Sequence, residues 1–264
     1  MPYTKNLLKL IAAFICLLFA GNLSAQHKKN NLYSAGHAGA FIGGLYNVYF
    51  PYTQVLNNGD FGLGAPEELD GELLIYKGVA YKTQHTGKTT VLNGGTTPYA
   101  ISCFFKADKI VKAGKQLNKA DFFKFIDSLT TNTNGIYAIK VSGKFSLIKT
   151  RAFPPVQKPY RPLAELLSSQ RFFEFKDTKG TLVGFKLPEL MEGPFIKGYH
   201  FHFLSDAKDA GGHIIDLIAD DVTVEIDELT SYSMDLPQTE GFKNFDFKKD
   251  MKEAIKSVEN GKKD

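Results

Sequence analysis

Three of the six histidines in the 264-residue chain lie in the segment Gly198–Leu217, "GYHFHFLSDAKDAGGHIIDL". Alternate residues of a β-strand face the same side, so His200 and His202 should project together with Cα atoms about 6.5–7 Å apart. The turn-forming residues "SDAKDAGG" then return the chain, and His213 opens a second strand opposite His202. Three converging imidazoles are typical of a catalytic zinc or similar divalent site with a position open for substrate. The spacing therefore predicts a metal site.

Other interpretations fit the same spacing. A His-x-His pair on a strand is often only a surface feature. The Gly-Gly turn before His213 and the bulky neighbours Tyr199, Phe201 and Phe203 favour a walled pocket instead. Two functions stay open as alternatives at this point: a three-histidine zinc hydrolase or hydratase, in which metal-bound water is the nucleophile, and a non-catalytic exported metal-binding domain.

Strand patterns dominate the rest of the chain. Two strands are predicted around the turn at Lys77–Gly78, and "GIYAIKVSGKFSLIKTRAF" is predicted to form a hairpin that turns at its Ser-Gly pair. The apolar spacing in "ADFFKFIDSLTTN" predicts a helix, and "DFKKDMKEAIKSVENGKKD" predicts an amphipathic helix with Met251, Ile255 and Val258 on one side.

A proline-rich segment divides these patterns into two halves. Four prolines lie between Pro154 and Pro162, and their lack of amide donors excludes an interior strand there. We predict a signal peptide at 1–25, an N-terminal sheet domain at 26–162, and a C-terminal sheet domain at 163–264 that carries the three histidines. The predicted class is α+β, with two strand-rich halves, mixed and antiparallel sheets, few helices, and the metal site between the halves.

The N-terminus predicts export. Lys5 and Lys9 precede an apolar run and then the small residue Ala25, the layout of a secretory signal peptide. Removing residues 1–25 deletes two lysines and no acids, so the formal charge falls from +4 to +2. This mild charge predicts no nucleic-acid partner and no membrane association after processing. We expect a periplasmic or extracellular protein, with the remaining cysteine, Cys103, as a buried apolar residue.

Four separated motifs, in order, resemble the acetolactate decarboxylase family. They are "GDFGLGAPEELDGELL" (Gly59–Leu74), "FSLIKTRAFPPVQKPYRPL" (Phe145–Leu163), the histidine segment, and "AIKSVE" near the end. The similarity extends from about Tyr46 to Glu259. It implies a carboxy-lyase that converts the small molecule 2-acetolactate to acetoin through a metal-stabilised enediolate with carboxylate-assisted protonation. It also implies a possible homodimer.

The resemblance implies site residues by position. His200, His202 and His213 would bind a divalent metal, with zinc as the expected ion, and Glu72, Arg151 and Glu259 would be catalytic. No organic cofactor is expected, because the chain has no nucleotide-type glycine motif leading into a helix. The chain departs from the family at Ala65, where the family often has a threonine that faces the site.

Overall fold

The computed structural model describes residues 30–47, 49–248 and 252–260. The predicted signal peptide at 1–25 lies outside the described residues, so it stays a prediction, as does export. Within the described ranges, no helix is long and apolar enough to span a membrane.

Sheet I contains seven strands in the order β15-β1-β8-β3-β4-β5-β6. Its strands are β1 (Asn31–Ala35), β3 (Phe61–Ala65), β4 (Glu72–Tyr76), β5 (Val79–Thr83), β6 (Thr89–Val91), β8 (Tyr99–Cys103) and β15 (Ser231–Asp235). The β1–β15 pair is parallel and the other pairs are antiparallel. The predicted turn at Lys77–Gly78 joins β4 to β5. A small separate ladder is formed by β2 (Phe50–Pro51) and β7 (Thr96–Thr97).

Sheet II contains six antiparallel strands. They are β9 (Lys109–Ala113), β10 (Leu117–Asn118), β11 (Ile136–Ala152), β12 (Arg171–Leu187), β13 (Gly198–Ser205) and β14 (Gly211–Leu229). The strand β14 pairs with β11 along its length and with β13 near its start, while β12 pairs with both β11 and β13. The four longest strands therefore form a closed circuit of pairings.

The hairpin predicted around Ser142–Gly143 is wrong. Residues 136–152 form the single strand β11, and Gly143 pairs with Gly180 on one side and with Val222 on the other. The glycine has a φ of 146°, and a Cβ there would lie 2.1 Å from the Asp221 carbonyl. Gly143 thus permits close strand approach rather than a chain reversal, a distinction that local turn propensity does not reveal.

Helices are few and short. The α-helices are α1 (Ala38–Ile42), α2 (Tyr52–Leu56), α3 (Lys119–Leu129), α4 (Glu240–Lys243) and α5 (Lys252–Asn260). Short 3-10 helices span Glu67–Leu69, Leu163–Ser169 and Glu189–Met191. The helix predicted from "ADFFKFIDSLTTN" is α3, capped by the Asn118 side chain. The predicted C-terminal helix is α5, with Ile255 and Val258 buried, whereas Met251 lies outside the described residues.

Three apolar clusters hold these layers together. The largest lies between the sheets and joins sheet I residues such as Leu63 to sheet II residues such as Phe185. A second packs α3 through Phe122 on the other face of sheet II, and a third packs α2 through Val55 on the other face of sheet I. The predicted α+β class with strand-rich mixed and antiparallel sheets is confirmed. Cys103 is buried within this core as a free thiol, as predicted.

The division into domains at 162 and 163 stays a prediction, and the strand pairing does not follow it. The strand β11 precedes that boundary but pairs with β12 and β14, which follow it. The chain passes between the sheets after Cys103, and β15 returns to sheet I at Ser231.

Candidate metal centre

Strand register places four of the candidate residues on one face of sheet II. His213 pairs with Arg151 of β11 on one side and with His202 of β13 on the other. Directly opposed residues of antiparallel strands project to the same face of the sheet. His200 projects to that face as well, because it lies two positions before His202 on the same strand. The predicted pairing of His202 with His213 is therefore confirmed, and Arg151 is the third residue of the same row.

The imidazole nitrogens converge closely. His200 Nε2 lies 3.2 Å from His202 Nε2 and 3.1 Å from His213 Nδ1. His202 Nδ1 donates a hydrogen bond of 2.7 Å to the Leu73 carbonyl, and His213 Nε2 donates one of 3.4 Å to the Glu259 carbonyl. Because His202 and His213 each donate from the outer nitrogen, the lone pairs of His202 Nε2 and His213 Nδ1 face His200 Nε2.

The three histidines are fully enclosed and uncharged. Burial lowers the pKa of His202 to about 3; the bond to the Leu73 carbonyl opposes this change, and the Arg151 charge adds to it. Burial, assisted by neighbouring positive charge, also lowers the pKa values of His200 and His213 well below their ordinary value. Neutral imidazole is the form that binds metal. The three residues form one potential metal-binding group whose ligand atoms lie within 4.8 Å of one another.

A buried ion pair joins the two sheets beside this group. Arg151 Nη1 of β11 donates a hydrogen bond of 2.6 Å to Glu72 Oε1 at the start of β4. The other Glu72 oxygen lies 3.4 Å from His202 Nε2. Burial raises the pKa of Glu72 to about 7, although the Arg151 charge lowers it, and Glu259 raises it further. Sheet I thus contributes a carboxylate directly to the histidine face of sheet II.

The C-terminal helix α5 contributes the second carboxylate. Glu259 Oε2 lies 3.9 Å from both His200 Nδ1 and His213 Nε2, and it has no hydrogen-bond partner among the described residues. Burial raises the pKa of Glu259 to about 7, against the lowering effect of Arg151 and then Lys119. Arg151 Nη2 also donates to the Val258 carbonyl at 3.3 Å, which fixes the end of α5 over the site.

Two cavities meet at this end of α5. The inner chamber measures about 30 Å³ and contains all six candidate residues in its wall. The outer groove measures about 470 Å³, and its wall includes His213, Glu259 and Lys119. His213 and Glu259 belong to both walls, so they separate the chamber from the groove.

The walls of the chamber differ from those expected from the sequence. Phe201 and Phe203 project to the other face of sheet II and pack in the core beneath α3, because they alternate with the histidines along β13. Tyr199 and Phe201 border the outer groove instead. Apolar chamber residues come from distant segments, and they include Phe41, Ile42, Leu69, Phe153, Leu163 and Ile196. The expectation that Tyr199, Phe201 and Phe203 wall the metal site is therefore wrong for the inner chamber.

Two glycines permit this close approach of elements. Gly212 precedes His213 with a φ of 120°, and a Cβ there would lie 2.7 Å from the Arg151 carbonyl. Gly71 precedes Glu72 with a φ of 99°, and its Cβ would lie 2.1 Å from the Thr83 carbonyl. Both positions therefore require the conformational freedom and small size of glycine.

The structure brings all six predicted site residues together, although their chemical roles stay predictions. The sequence interpretation missed the Leu73 and Val258 carbonyls, because every residue type has a backbone carbonyl and the sequence does not distinguish those that accept a bond from the site. It also missed Tyr99, a buried chamber residue on β8. The signal that points to Tyr99 is its strand register opposite Ala65, which only the folded sheet supplies.

Comparisons with known proteins identify the family of the chain. The family model for alpha-acetolactate decarboxylase matches residues 32–249. The chain is 33% identical to an alpha-acetolactate decarboxylase of Methanosarcina mazei, covering 92% of each chain, and 33% identical to one of Bacillus subtilis strain 168, covering 87% of this chain and 92% of the relative.

Solved structures extend the similarity to three dimensions. The crystal structure of alpha-acetolactate decarboxylase from Bacillus subtilis strain 168 matches with a TM-score of 0.84 and 30% identity, over 88% of this chain and all of that chain. A Staphylococcus aureus protein described as similar to alpha-acetolactate decarboxylase matches with a TM-score of 0.81. The protein therefore belongs to the alpha-acetolactate decarboxylase family and is a carboxy-lyase, as its sequence motifs predicted.

Proposed function

We propose that the protein decarboxylates 2-acetolactate to acetoin, with a divalent metal held by His200, His202 and His213. The observation that carries the proposal is the convergence of three buried neutral imidazoles beside the Glu72–Arg151 pair and Glu259. The name of the family supplies the substrate, and the enclosed site supplies groups suited to the chemistry.

The residues fit a metal ion. Nitrogens bound to one tetrahedral zinc at 2.0–2.1 Å lie about 3.3 Å apart, close to the 3.1 and 3.2 Å separations among the three rings. Lone pairs that face one another at such distances need a cation or proton between them. Carbonyl acceptors on the outer nitrogens of His202 and His213 fix the ring orientations, an arrangement common around bound metals. We propose zinc, although cobalt, iron or nickel suits the same ligands.

A bound ion would act as a Lewis acid that stabilises negative charge on the substrate oxygens. The protein supplies the remaining electrostatics. In 2-acetolactate the bond between the carboxylate and the carbon bearing the hydroxyl breaks, carbon dioxide leaves, and the electron pair moves toward the ketone oxygen. Arg151 contributes its guanidinium to the chamber wall, and the planar set of donors on that group matches a carboxylate. We assign it to positioning the substrate carboxylate and to charge stabilisation inside the water-poor chamber.

The resulting enediolate must gain a proton on carbon to give acetoin. Glu72 accepts a short hydrogen bond from Arg151, which favours its ionised form. Glu259 Oε2 has no hydrogen-bond partner among the described residues, so it is free to hold a proton. We therefore assign proton delivery to Glu259, and we assign to Glu72 the orientation of Arg151 and of the substrate hydroxyl.

Substrate access is proposed through the outer groove. That groove shares His213 and Glu259 with the chamber wall, so it leads directly to the site. A chamber of about 30 Å³ holds only about two water molecules. Binding of 2-acetolactate therefore requires the chamber to enlarge, and we propose that it opens at its boundary with the groove, beside His213 and Glu259.

The test is acetoin formation by the purified protein supplied with 2-acetolactate, before and after treatment with a chelator. We expect acetoin only with metal, and recovery when Zn²⁺ is restored. His213→Ala should lose metal and activity, whereas His85→Ala, outside both cavity walls, should keep both. Metal uptake without acetoin would overturn the proposal in favour of the non-catalytic alternative.

Two further properties are carried as proposals. The N-terminal pattern supports export after removal of residues 1–25, which N-terminal sequencing of the mature protein would check. The family resemblance supports a homodimer, which sedimentation analysis would check.

A further inference from the structure

The hydroxyl of Tyr99 is an unexplained polar group in the catalytic chamber. Tyr99 is only 1% exposed, and its side chain forms part of the chamber wall. The hydroxyl proton has no acceptor among the described residues. Buried hydroxyls are rarely left unpaired in folded proteins, because the lost hydration is costly. A group that stays unpaired inside an active-site chamber is a candidate for pairing with a bound molecule.

The surroundings keep this hydroxyl protonated and therefore able to donate. Burial, and then the negative charge of Glu259, raise the pKa of Tyr99 above its ordinary value. The nearby backbone amide of Ile196 partly opposes this change, and as a donor it leaves the hydroxyl proton unused. The ring is stacked on Phe41, with centroids 5.7 Å apart and planes at 17°. The stacking on Phe41 thus fixes the ring that carries the hydroxyl in the chamber wall.

Strand register links Tyr99 to the position at which the chain departs from its family. Ala65 of β3 pairs directly with Tyr99 of β8, so both side chains project to the same face of sheet I. Both residues line the chamber. Ala65 stands where the resemblance implies a threonine that faces the site. A methyl group cannot bond to substrate, and the nearest strand neighbour offers a hydroxyl that is otherwise unused.

We propose that the Tyr99 hydroxyl donates a hydrogen bond to an oxygen of the bound hydroxy-keto acid, and so replaces the hydroxyl that Ala65 lacks. The inference rests on the proposed function, since it assumes that the chamber receives this substrate. Tyr99 then helps to fix the substrate orientation and the face of the enediolate that is protonated. The pairing explains how the chain retains a neutral donor in the chamber despite the alanine.

The decisive variant is Tyr99→Phe, which removes one oxygen and keeps the ring. We expect kcat/KM for 2-acetolactate to fall about 10- to 100-fold, as when a single site donor is lost. We expect little loss of thermal stability, because the hydroxyl proton has no acceptor among the described residues. The double variant Ala65→Thr/Tyr99→Phe should recover part of the lost kcat/KM by restoring a hydroxyl on the adjacent strand.

A matched control is Tyr46→Phe. Tyr46 is equally buried and also contacts Phe41, at 5.6 Å, but it donates its hydroxyl to the Arg161 carbonyl and lies outside the chamber wall. This variant should melt at a lower temperature and keep the wild-type kcat/KM. Loss of activity with little loss of stability in Tyr99→Phe, and the reverse in Tyr46→Phe, would separate a substrate contact from a general effect of removing a tyrosine hydroxyl.

Calorimetric binding of 2,3-dihydroxy-2-methylbutanoate supplies a readout independent of turnover. This probe is the substrate with its ketone reduced, so it cannot lose carbon dioxide. We expect Tyr99→Phe to bind it at least several-fold more weakly than the wild type. Equal probe affinity and equal kcat/KM in the two proteins would overturn the inference while leaving the proposed function intact. Absence of acetoin from the wild type would instead overturn the proposed function.

Discussion

Arg151 and Glu72 form a buried ion pair that connects the two sheets at the histidine group. The Nη1–Oε1 distance is 2.6 Å, and the two side chains are only 4% and 8% exposed. Neither residue lies near the other in sequence, and each belongs to a different sheet. The pair therefore couples the assembly of the fold to the assembly of the site.

Replacing Glu72 should separate metal binding from turnover. Glu72→Gln keeps the three imidazoles and the approximate shape of the side chain, but removes the carboxylate charge beside His202. We expect metal content to stay at the wild-type level and acetoin formation to fall about 10²-fold or more. His202→Ala should lose both. Elemental analysis and an acetoin assay on the same samples check this, and full activity in metal-loaded Glu72→Gln would show that the assigned role is wrong.

Removing Arg151 should destabilise the protein as well as inactivate it. Arg151→Met leaves Glu72 buried without its cation, a change that costs about 3–5 kcal/mol in free energy of unfolding. The double variant Glu72→Gln/Arg151→Met should cost less than the sum of the single changes, because it also removes the orphaned charge. Urea unfolding of the four proteins measures this coupling. Strict additivity would mean that the two residues do not stabilise each other.

Glu259 should be essential although it lies near the chain end and beyond the family-model match. Glu259→Gln removes the proposed proton donor, and we expect kcat to fall about 10²-fold or more with metal content unchanged. Ser257 lies on the same helix and outside both cavity walls, so Ser257→Ala is the control. Equal loss in the two variants would point to disturbance of α5 rather than to proton delivery.

Gly212 should be intolerant of any side chain. A Cβ would lie 2.7 Å from the Arg151 carbonyl at a φ of 120°, so Gly212→Ala should cost about 1–3 kcal/mol in free energy of unfolding and weaken metal affinity by displacing His213. Gly114→Ala is the control, since that position has no neighbouring atoms within 4 Å. Denaturant melts and zinc titrations distinguish the two. Similar stability in both variants would contradict the steric argument.

Asp227 should give stability an identifiable pH dependence away from the site. It is fully buried, and burial raises its pKa to about 6, opposed by the amide of Lys106 and reinforced by Asp108. Between about pH 4 and pH 6 the folded chain holds this proton more tightly than the unfolded chain. The stabilising contribution is thus present at low pH and is lost as pH rises through 6.

The variant Asp227→Asn isolates this contribution. Relative to the wild type, it should gain stability at pH 7, and the difference should shrink as pH falls from 6 to 4. The full difference is at most about 3 kcal/mol, from roughly two pKa units at 1.36 kcal/mol each. Thermal melts across this range measure it. A difference that stays constant with pH would exclude Asp227 as the titrating group.

The sequence by itself determined the strand-rich class, the helices α3 and α5, and the row of three histidines. Strand alternation and a glycine turn are local rules, so they suffice to place His200, His202 and His213 on one face. The resemblance of the motifs to the acetolactate decarboxylase family indicated Glu72, Arg151 and Glu259 as site residues. Local rules failed at Gly143, because a glycine in a long strand and a glycine in a turn have the same local sequence signature.

Only the tertiary structure decided which groups meet. The convergence of β4, β8, β11 and α5 depends on contacts between residues that are distant in sequence. The periodicity of apolar residues within one segment does not predict which distant segments it will contact. The same packing turned Phe201 and Phe203 away from the histidines and set Tyr99 opposite Ala65. The chamber and its unpaired hydroxyl exist because two sheets and a terminal helix enclose one small volume, a property that belongs to the packed chain rather than to any segment of it.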